Sequence, residues 1–301
     1  MAQEKELEIG GGVLKYEIGR LGIMVRGLFA VGGSIRIPDE IENQPVIRIE
    51  RKALLSCKAV RELYLPIHLE EIGDWAFAYC SNLKTVYLPK RKLVLGKGIF
   101  KECESLECIC HLTAVTKEEI QAGYLLGAVP VKLEADYLFS PEEAGEKRWL
   151  ARFDDRLEFF LNQSDEEGYV KQVYCGEEDI MSNLDLYLAE RRRAKSRLCF
   201  MRLANDVALE DNFREKLEKY LAEHTKGSVS EAAWEVLRRE RGNEKAYYEI
   251  FVQAGCVTDD NYDGILEDMG EEFPEMKAYL MSYRAEQTTG EDFFSSLSLD
   301  F

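Results

Sequence analysis

Histidine is scarce in this chain of 301 residues, and so are the short motifs that accompany catalysis. Only three histidines occur, His68, His111 and His224, and none stands near a serine or cysteine in a recognised nucleophile motif. Phosphate-binding loops and dinucleotide fingerprints are missing as well. The triple glycine at residues 10–12 is interpreted as a flexible leader, because no convincing strand precedes it. These absences favour a function other than catalysis and predict no cofactor.

Long apolar runs are missing too. No stretch of about 18 apolar residues is present to span a bilayer, and the first twelve residues lack the basic start and apolar core of a secretory signal. We therefore expect a cytoplasmic protein without membrane contact, whose eight cysteines are reduced thiols. An exported protein whose signal has been removed is the alternative.

Basic residues are in deficit, and the deficit lies in one half of the chain. Residues 1–112 hold 16 Lys+Arg and 15 Asp+Glu, whereas residues 113–301 hold 23 and 41. A strongly acidic half repels nucleic-acid phosphates and anionic lipids, so neither is expected as a partner. Solvated acidic helices are the simplest interpretation of this half, and a basic protein partner is the other.

A 23-residue period organises the first half. Cys57, Cys80 and Cys103 recur at this interval, and several apolar columns share it. The interval from Pro38 to Pro66 is longer by five positions, so the first unit carries an insertion. A fixed period over many columns is typical of stacked units that share one core. The predicted core residues of the repeat are Leu54, Cys57, Leu63, Leu65, Phe77, Cys80, Val86, Leu88, Phe100 and Cys103.

Each unit is predicted to contain a short parallel strand and an opposite wall. Leu63 and Leu65 alternate with polar neighbours, which indicates a strand. The proline that follows ends the strand, because it has no N–H for the ladder. Phe77 and Cys80 lie about one helical turn apart and are expected to point inward from the opposite wall.

These columns resemble those of the BspA-like (treponemal-type) leucine-rich repeat family, whose units look like LxxIxLPxxLxxIGxxAFxxCxxL. The resemblance covers about residues 33–110. It implies a solenoid preceded by an amino-terminal cap, for which strand-like runs occur at residues 14–18 and 22–28. It also implies recognition of a protein or peptide. Many relatives look like secreted adhesins, so a cell-surface adhesin or host-interaction protein is the alternative if the chain is exported.

Two outward columns follow from the same alternation. One contains Glu62, Thr85 and Cys108, and the other contains Tyr64, Tyr87 and Cys110. Parallel strands lie about 4.8 Å apart, so Tyr64 and Tyr87 are predicted to form an aromatic strip on the exposed sheet face. Aromatic side chains on a rigid face are common contact anchors. The hypothetical binding residues are Glu62, Tyr64, Thr85 and Tyr87; packing of the two rings on neighbouring chain alone is the other interpretation.

From Thr116 onward the period becomes helical. Thr116 with Glu119, and Ser140 with Glu143, are predicted capping boxes. The second is expected to open a helix with Trp149, Phe153 and Leu157 on its buried face. Glycines at 13–15-residue intervals from Gly227 are typical of packed helical hairpins. Residues 246–284 resemble the ankyrin-like helical module found after such repeats.

Two further clusters have chemical alternatives. Cys103, Cys108, Cys110 and His111 are crowded enough for zinc, but the alternation sends them to different faces, so no metal is predicted. A redox pair at Cys108 and Cys110, and a thiol-based enzyme, are lesser alternatives. The basic run at residues 191–197 is interpreted as neutralising acids on neighbouring helices rather than as a phosphate site.

The predicted fold class is therefore α+β: a short leucine-rich-repeat solenoid, in which a parallel sheet and short helices form 23-residue repeats, followed by an all-α helical-hairpin domain. The predicted domains are residues 1–112, residues 113–285 and a flexible tail at residues 286–301. The predicted function is a non-enzymatic scaffold that binds an unknown protein or peptide through the exposed sheet face.

Overall fold

The computed structural model describes residues 4–169 and 183–297, with side chains to residue 287. Its contacts divide the chain into two compact units. The first contains the residues up to Asn162 together with Asn205–Ala208, and the second contains Gln163–Ala204 and the residues from Leu209 onward. The predicted boundary after residue 112 marks the change from strands to helices, and as a domain boundary it stays a prediction.

The repeat region is a solenoid of 23-residue units, as predicted, with strands on two walls. Strands β4, β7, β9 and β11 form a parallel four-stranded sheet in spatial order, while β1, β2, β3, β6, β8 and β10 form the larger sheet, with β5 added to β6. The strands of the described residues are β1 Lys5–Ile9, β2 Gly12–Ile18, β3 Ile23–Ala30, β4 Ser34–Arg36, β5 Glu40–Ile41, β6 Gln44–Ile49, β7 Glu62–Tyr64, β8 Glu71–Ile72, β9 Thr85–Leu88, β10 Val94–Leu95 and β11 Cys108–His111.

The glycines at residues 10–12 connect two strands, so their interpretation as a flexible leader was wrong. β1 pairs antiparallel with β2 across this turn, with Ile9 opposite Gly12. Gly11 has φ +90°, which favours glycine. Its carbonyl accepts hydrogen bonds from the N–H groups of Val31 and Gly32 at 2.8 and 2.9 Å. The turn thereby fixes the start of the cap against the end of β3.

The five-residue insertion in the first unit forms a β-hairpin. Ser34 pairs with Glu62, which is the longer step predicted for this unit, whereas Glu62 pairs with Thr85 at the ordinary period. The extra residues let β5 turn back onto β6 through Glu42 and Asn43, both at positive φ. Two such residues are typical of a two-residue hairpin turn. The insertion therefore adds a strand without disturbing the stack.

The core lies between the two walls. Of the predicted core residues, nine are at most 2% exposed, and Cys57, which lies in the first unit, is half-buried. The wall opposite the small four-stranded sheet is called the back wall. It turns at residues of positive φ that recur with the period: Lys52, Trp75 and Gly98 in one column, and Ser56, Tyr79 and Glu102 in the other. The repeat thus preserves backbone conformation even where the residue type changes.

The helices of the described residues are α1 Lys117–Ala128, α2 Lys147–Asn162, α3 Leu184–Ala204, α4 Asp211–Glu223, α5 Ala232–Glu240, α6 Lys245–Gln253, α7 Tyr262–Met269 and α8 Pro274–Leu297, with a 3₁₀ helix at Asp136–Leu138. The capping box at Thr116 and Glu119 is present at the start of α1. The one predicted at Ser140 does not cap a helix, because α2 begins at Lys147, beyond Gly145 at φ +91°. The buried face of α2 contains Trp149, Phe153 and Leu157, as predicted.

Helix α3 was not foreseen, because its sequence has no single apolar stripe. Its buried residues surround the helix and include polar types: Tyr187, Lys195, Ser196, Leu198, Cys199, Phe200, Arg202 and Leu203. Within the second unit it packs against α4, α5 and α6. Helix α8 extends into the predicted tail to Leu297, and residues 298–301 lie outside the described residues. The flexibility of the tail and the ankyrin-like character of these helices stay predictions.

Candidate binding surface

The small sheet places the two predicted outward columns in register. Glu62 lies opposite Thr85 and Thr85 opposite Cys108. In the second column Tyr64 lies opposite Tyr87, and Tyr87 opposite Cys110. Glu62, Tyr64, Thr85 and Tyr87 are all half-buried. The four predicted binding residues therefore form a two-by-two block on the face of β7 and β9.

Tyr64 and Tyr87 form a stacked pair. Their ring centroids are 4.3 Å apart and their planes differ by 8°. The Arg36 guanidinium lies 4.2 Å from the centroid of the Tyr64 ring on the side of β4, an attractive cation–π arrangement. Burial, with the neighbouring Tyr64, raises the pKa of Tyr87 to about 12. The strip therefore consists of a guanidinium and two stacked phenol rings in an ordered row.

Arg36 was not among the predicted binding residues. The five-residue insertion of the first repeat lies between Arg36 and Tyr64, so these two residues are separated by more than one 23-residue period. A search for outward side chains at the interval of the repeat therefore misses it. The signal in the sequence was the Ile35-Arg36-Ile37 alternation before Pro38, which places Arg36 outward.

Helix α1 covers the last strand and ends the strip. A Cβ on Gly123 would lie 2.4 Å from the Cys110 Sγ, and one on Gly127 would lie 2.6 Å from the Glu107 carbonyl oxygen. Two glycines one turn apart thus let the helix lie directly on β11. Cys108 and Cys110 point to the outer face as predicted, yet they are buried, at 4% and 6% exposure. The accessible face is limited to β4, β7 and β9.

The clustered cysteines do not form one group. The Cys108 and Cys110 sulfurs are 3.0 Å apart beneath α1, whereas the Cys103 thiol donates to the Phe77 carbonyl at 3.2 Å on the other wall. The bond to Cys110 and burial raise the pKa of Cys108. Among the side chains of residues 4–169 and 183–287, no group of three or more metal-ligating side chains is assembled.

The back-wall cysteines bond to the preceding coil. The Cys80 thiol donates to the Leu54 carbonyl at 3.1 Å, and Cys57 and Cys103 form equivalent bonds at 3.4 and 3.2 Å. Burial raises the pKa of Cys103 to about 11, so at neutral pH this thiol is protonated and a weak nucleophile. The seven cysteines of the described chain are free thiols, and Cys175 lies outside the described residues.

The basic run on α3 is paired with acids of the second unit. Lys195, whose side chain is 3% exposed, contacts Asp165 at 2.7 Å. Arg192 contacts the same carboxylate at 2.8 Å. Arg193 reaches Glu235 at 2.9 Å and Arg197 reaches Glu240 at 2.7 Å. The predicted role of this run, neutralising neighbouring acids, is therefore seen directly.

None of the helices in the described chain combines the length and the apolar character that crossing a membrane requires.

The comparisons with known proteins concern the repeats. The family model described as "BspA type Leucine rich repeat region" matches residues 34–122 with six copies. Among curated proteins, no significant match was found.

Solved structures that align with the chain are also leucine-rich repeat proteins. One from T. pallidum is 28% identical, with 32% of this chain and 46% of that chain covered and a TM-score of 0.30. One from Bacteroides capillosus is 25% identical, with 34% and 78% covered and a TM-score of 0.30. A leucine-rich cell surface protein from Faecalibacterium prausnitzii is 20% identical, with 36% and 30% covered and a TM-score of 0.29. The chain thus spans less than half the length of the T. pallidum protein.

Proposed function

Residues 34–122 belong to the BspA-type leucine-rich repeats, and from this premise we propose that the chain is a non-enzymatic scaffold that binds a protein or an extended peptide through the face of β4, β7 and β9. Solenoids of this kind generally present a rigid sheet as their binding surface. The binding block is Glu62, Tyr64, Thr85 and Tyr87, with Arg36 added at one end.

The stacked pair of Tyr64 and Tyr87 carries this proposal. Stacking holds both rings before a partner arrives, so little side-chain entropy is lost when they are covered. Each ring also ends in a hydroxyl, which provides a hydrogen bond beside the apolar contact. Arg36, Glu62 and Thr85 surround the rings with a cation, an anion and a neutral hydroxyl. Such a surface suits a partner with an apolar or aromatic centre and polar flanks.

A displayed peptide library tests the proposal and requires no identified partner. The library is selected on the native chain, and the enriched peptides are then measured against Tyr64→Ala/Tyr87→Ala. We expect affinity to fall at least tenfold, because both anchors are removed. The control is Trp75→Ala/Tyr79→Ala, which removes two exposed aromatics, 37% and 41% accessible, from the opposite wall.

The control is expected to retain the affinity of the native chain within twofold. Thermal melts of both variants first establish that each is folded. Equal binding by the native chain and the Tyr64/Tyr87 variant would place peptide recognition elsewhere and reject the proposed surface.

A further inference from the structure

A cleft of about 690 Å³ lies at the end of the stack of repeats, within the first of the two compact units. One side is the last coil, residues 95–104, and the other is the segment around Pro130 to Phe139. Its volume is in the range of ordinary ligand sites. The cleft is on the back wall, whereas the tyrosine strip is on the small sheet.

The floor of the cleft is the last rung of a backbone ladder. In the preceding coil the N–H groups of Trp75, Phe77 and Tyr79 donate to carbonyls one coil further on, those of residues 97, 99 and 101, at 2.9, 3.1 and 2.8 Å. The pattern is regular because the coils share one backbone conformation. Each coil therefore donates N–H groups of alternate residues to carbonyl oxygens of the coil that follows it.

The last coil has no such neighbour. Gly98, Phe100 and Glu102 stand one repeat after the three donors, and no acceptor for their N–H groups is found in the described part of the chain. The acceptor side is similar: the Ile72 carbonyl receives the Gly96 N–H at 2.8 Å, and its counterpart Leu95 receives none from the described residues. Backbone groups of this kind are strong hydrogen-bonding groups that favour a partner.

Exposure supports the same conclusion. Ile72 is fully buried at 0%, whereas its counterpart Leu95 is half-buried. Strand β10 is the edge of the large sheet, and its residue Val94 is 66% exposed. The exposed edge at Val94 and Leu95 is a template for an added strand. The N–H groups of Gly98, Phe100 and Glu102 lie in the turn that follows this edge.

The side chains around the cleft define what that strand contains. Opposite the ladder, Val131 and Phe139 provide an apolar wall. The Phe139 ring packs on the buried Phe100, with ring centroids 5.7 Å apart. The charged lining residues are four acids, Glu102, Glu104, Glu134 and Asp136, and two lysines, Lys97 and Lys101. Because side chains of a strand alternate between two sides, apolar residues would face the wall of Val131 and Phe139, and basic residues would face the acidic rim.

We propose that this cleft binds an extended peptide of alternating apolar and basic residues, which continues the backbone ladder beyond Gly98, Phe100 and Glu102. Its carbonyls accept the three N–H groups in the way that residues 97, 99 and 101 accept those of the coil before. One of its N–H groups donates to the Leu95 carbonyl. This site is independent of the tyrosine strip, so either one functions without the other.

A blocked hexapeptide of alternating lysine and valine is the probe, with calorimetry and amide hydrogen exchange as readouts. On addition of the peptide we expect exchange at Gly98, Phe100 and Glu102 to slow at least tenfold. Trp75 and Phe77, whose N–H groups are already bonded, should change little. The same peptide with aspartate in place of lysine, and one methylated on alternate backbone nitrogens, should each bind at least tenfold more weakly.

Charge variants locate the peptide in the cleft. Glu134→Lys/Asp136→Lys is expected to weaken binding at least tenfold. The matched control, Glu8→Lys/Glu40→Lys, makes the same change of charge at exposed residues outside the cleft and should stay within twofold of the native chain. Tyr64→Ala/Tyr87→Ala should bind the hexapeptide as the native chain does, which separates this test from that of the proposed function.

Three results would overturn the proposal. One is unchanged exchange at Gly98, Phe100 and Glu102 in the presence of saturating peptide. Another is an equal loss of binding in both charge variants, which would indicate general electrostatic attraction. The third is slowing of the same amides with protein concentration in the absence of peptide, which would identify a second copy of the chain as the occupant.

Discussion

The cysteine column of the back wall illustrates how one small residue meets two demands. A thiol is compact enough for a crowded wall and still carries a donor for the carbonyl of the preceding coil. The donor bond explains why the repeat keeps cysteine where alanine would also fit the space. Its chemistry is therefore structural, and burial keeps Cys103 protonated with its pKa at about 11.

Cys80→Ala is expected to lower the free energy of unfolding by about 1–2 kcal/mol, because it removes both the bond to Leu54 and a buried sulfur. Cys57→Ala is the control, since Cys57 is half-buried and its bond is longer, 3.4 Å. It should cost less. Urea unfolding of both variants measures the difference, and a greater loss from Cys57→Ala would contradict this account.

At the scale of the element, the coils stack closely because glycine occupies the tight positions. A Cβ on Gly96 would lie 2.4 Å from the Asp74 backbone nitrogen, and one on Gly73 would lie 2.5 Å from that of Arg51. Gly98 differs, because the nearest neighbours of its Cβ would be side-chain atoms, the Trp75 ring at 3.2 Å and the Lys101 Cβ at 3.8 Å. Its counterparts, Lys52 and Trp75, hold the same positive φ with a side chain.

Gly96→Ala should therefore lower the free energy of unfolding of the first compact unit by about 1–3 kcal/mol, as overpacking against backbone does. Gly98→Ala should cost less, about 1 kcal/mol, because it imposes a left-handed conformation on alanine and meets a side chain, not backbone. Thermal denaturation ranks the two variants. Equal shifts in Tm would mean that backbone conformation, and not the close approach of the coils, decides both positions.

Helix α1 depends on the same kind of contact. A methyl group at Gly127 would meet the Glu107 carbonyl oxygen and carbon at 2.6 and 2.8 Å, which are backbone atoms that cannot rotate away. Gly127→Ala should lift α1 from β11, although alanine favours the helix itself by about 1 kcal/mol. Labelling of Cys108 and Cys110 by a thiol reagent should then become faster.

Lys117→Ala, at an exposed position of the same helix, is the control and should leave the labelling of both cysteines slow. Mass spectrometry of the separate peptides follows each thiol. Slow labelling in Gly127→Ala would show that the helix remains docked despite the added methyl group.

Elements were predictable from sequence where they repeat, and less so where they do not. The period located the strands and their register, since Tyr64 and Tyr87 must be neighbours if each repeat makes one coil. The hairpin β5–β6 was not foreseen, because an insertion has no second copy to compare. Helix α3 was missed for another reason. It is buried on several sides, and the charged Lys195 and Arg202 are among its buried residues, so its sequence has no amphipathic stripe.

At the scale of the whole molecule, the two units are stabilised by different chemistry. The first is a stack of apolar walls joined by backbone ladders. The second contains a buried cation, Lys195, which contacts the partly buried Asp165 together with Arg192. Burial opposes ionisation of the Asp165 carboxyl, yet the two cations prevail and hold its pKa below the ordinary value. Net charge alone predicted the acidity of this half but not where its cations lie.

The second unit should lose stability in acid for this reason. A carboxyl whose pKa is lower in the folded state stabilises the fold above its unfolded pKa of about 3.9, and that contribution is lost as the pH falls. Asp165→Asn should cost about 2–3 kcal/mol at pH 7, less than for a fully buried pair because the Asp165 side chain is 22% exposed. The cost should shrink towards pH 2.

Calorimetry of the native chain, Asp165→Asn and Glu215→Gln between pH 7 and pH 2 measures the effect. Glu215 is an exposed residue of α4, so its variant should follow the native chain at every pH. A penalty for Asp165→Asn that stays constant down to pH 2 would mean that the carboxylate charge is not what stabilises this region.

The candidate surface shows the same limits. The alternation of β7 and β9 was enough to place Tyr64 and Tyr87 on one face. It did not indicate Arg36, which the insertion shifts out of the period, nor the burial of Cys108 and Cys110 beneath α1, which depends on the contact of a later helix.

The ladders that join the coils also have a mechanical consequence. Their hydrogen bonds run along the solenoid axis, and each coil contacts only its neighbours, so a pulling force on the two ends of the repeat loads the coils in series. A coil that opens releases one repeat of chain, which extends to roughly 75–80 Å, in place of a rise of about 4.8 Å. The repeat region would therefore lengthen under force in discrete steps of nearly equal size, one step for each coil that opens.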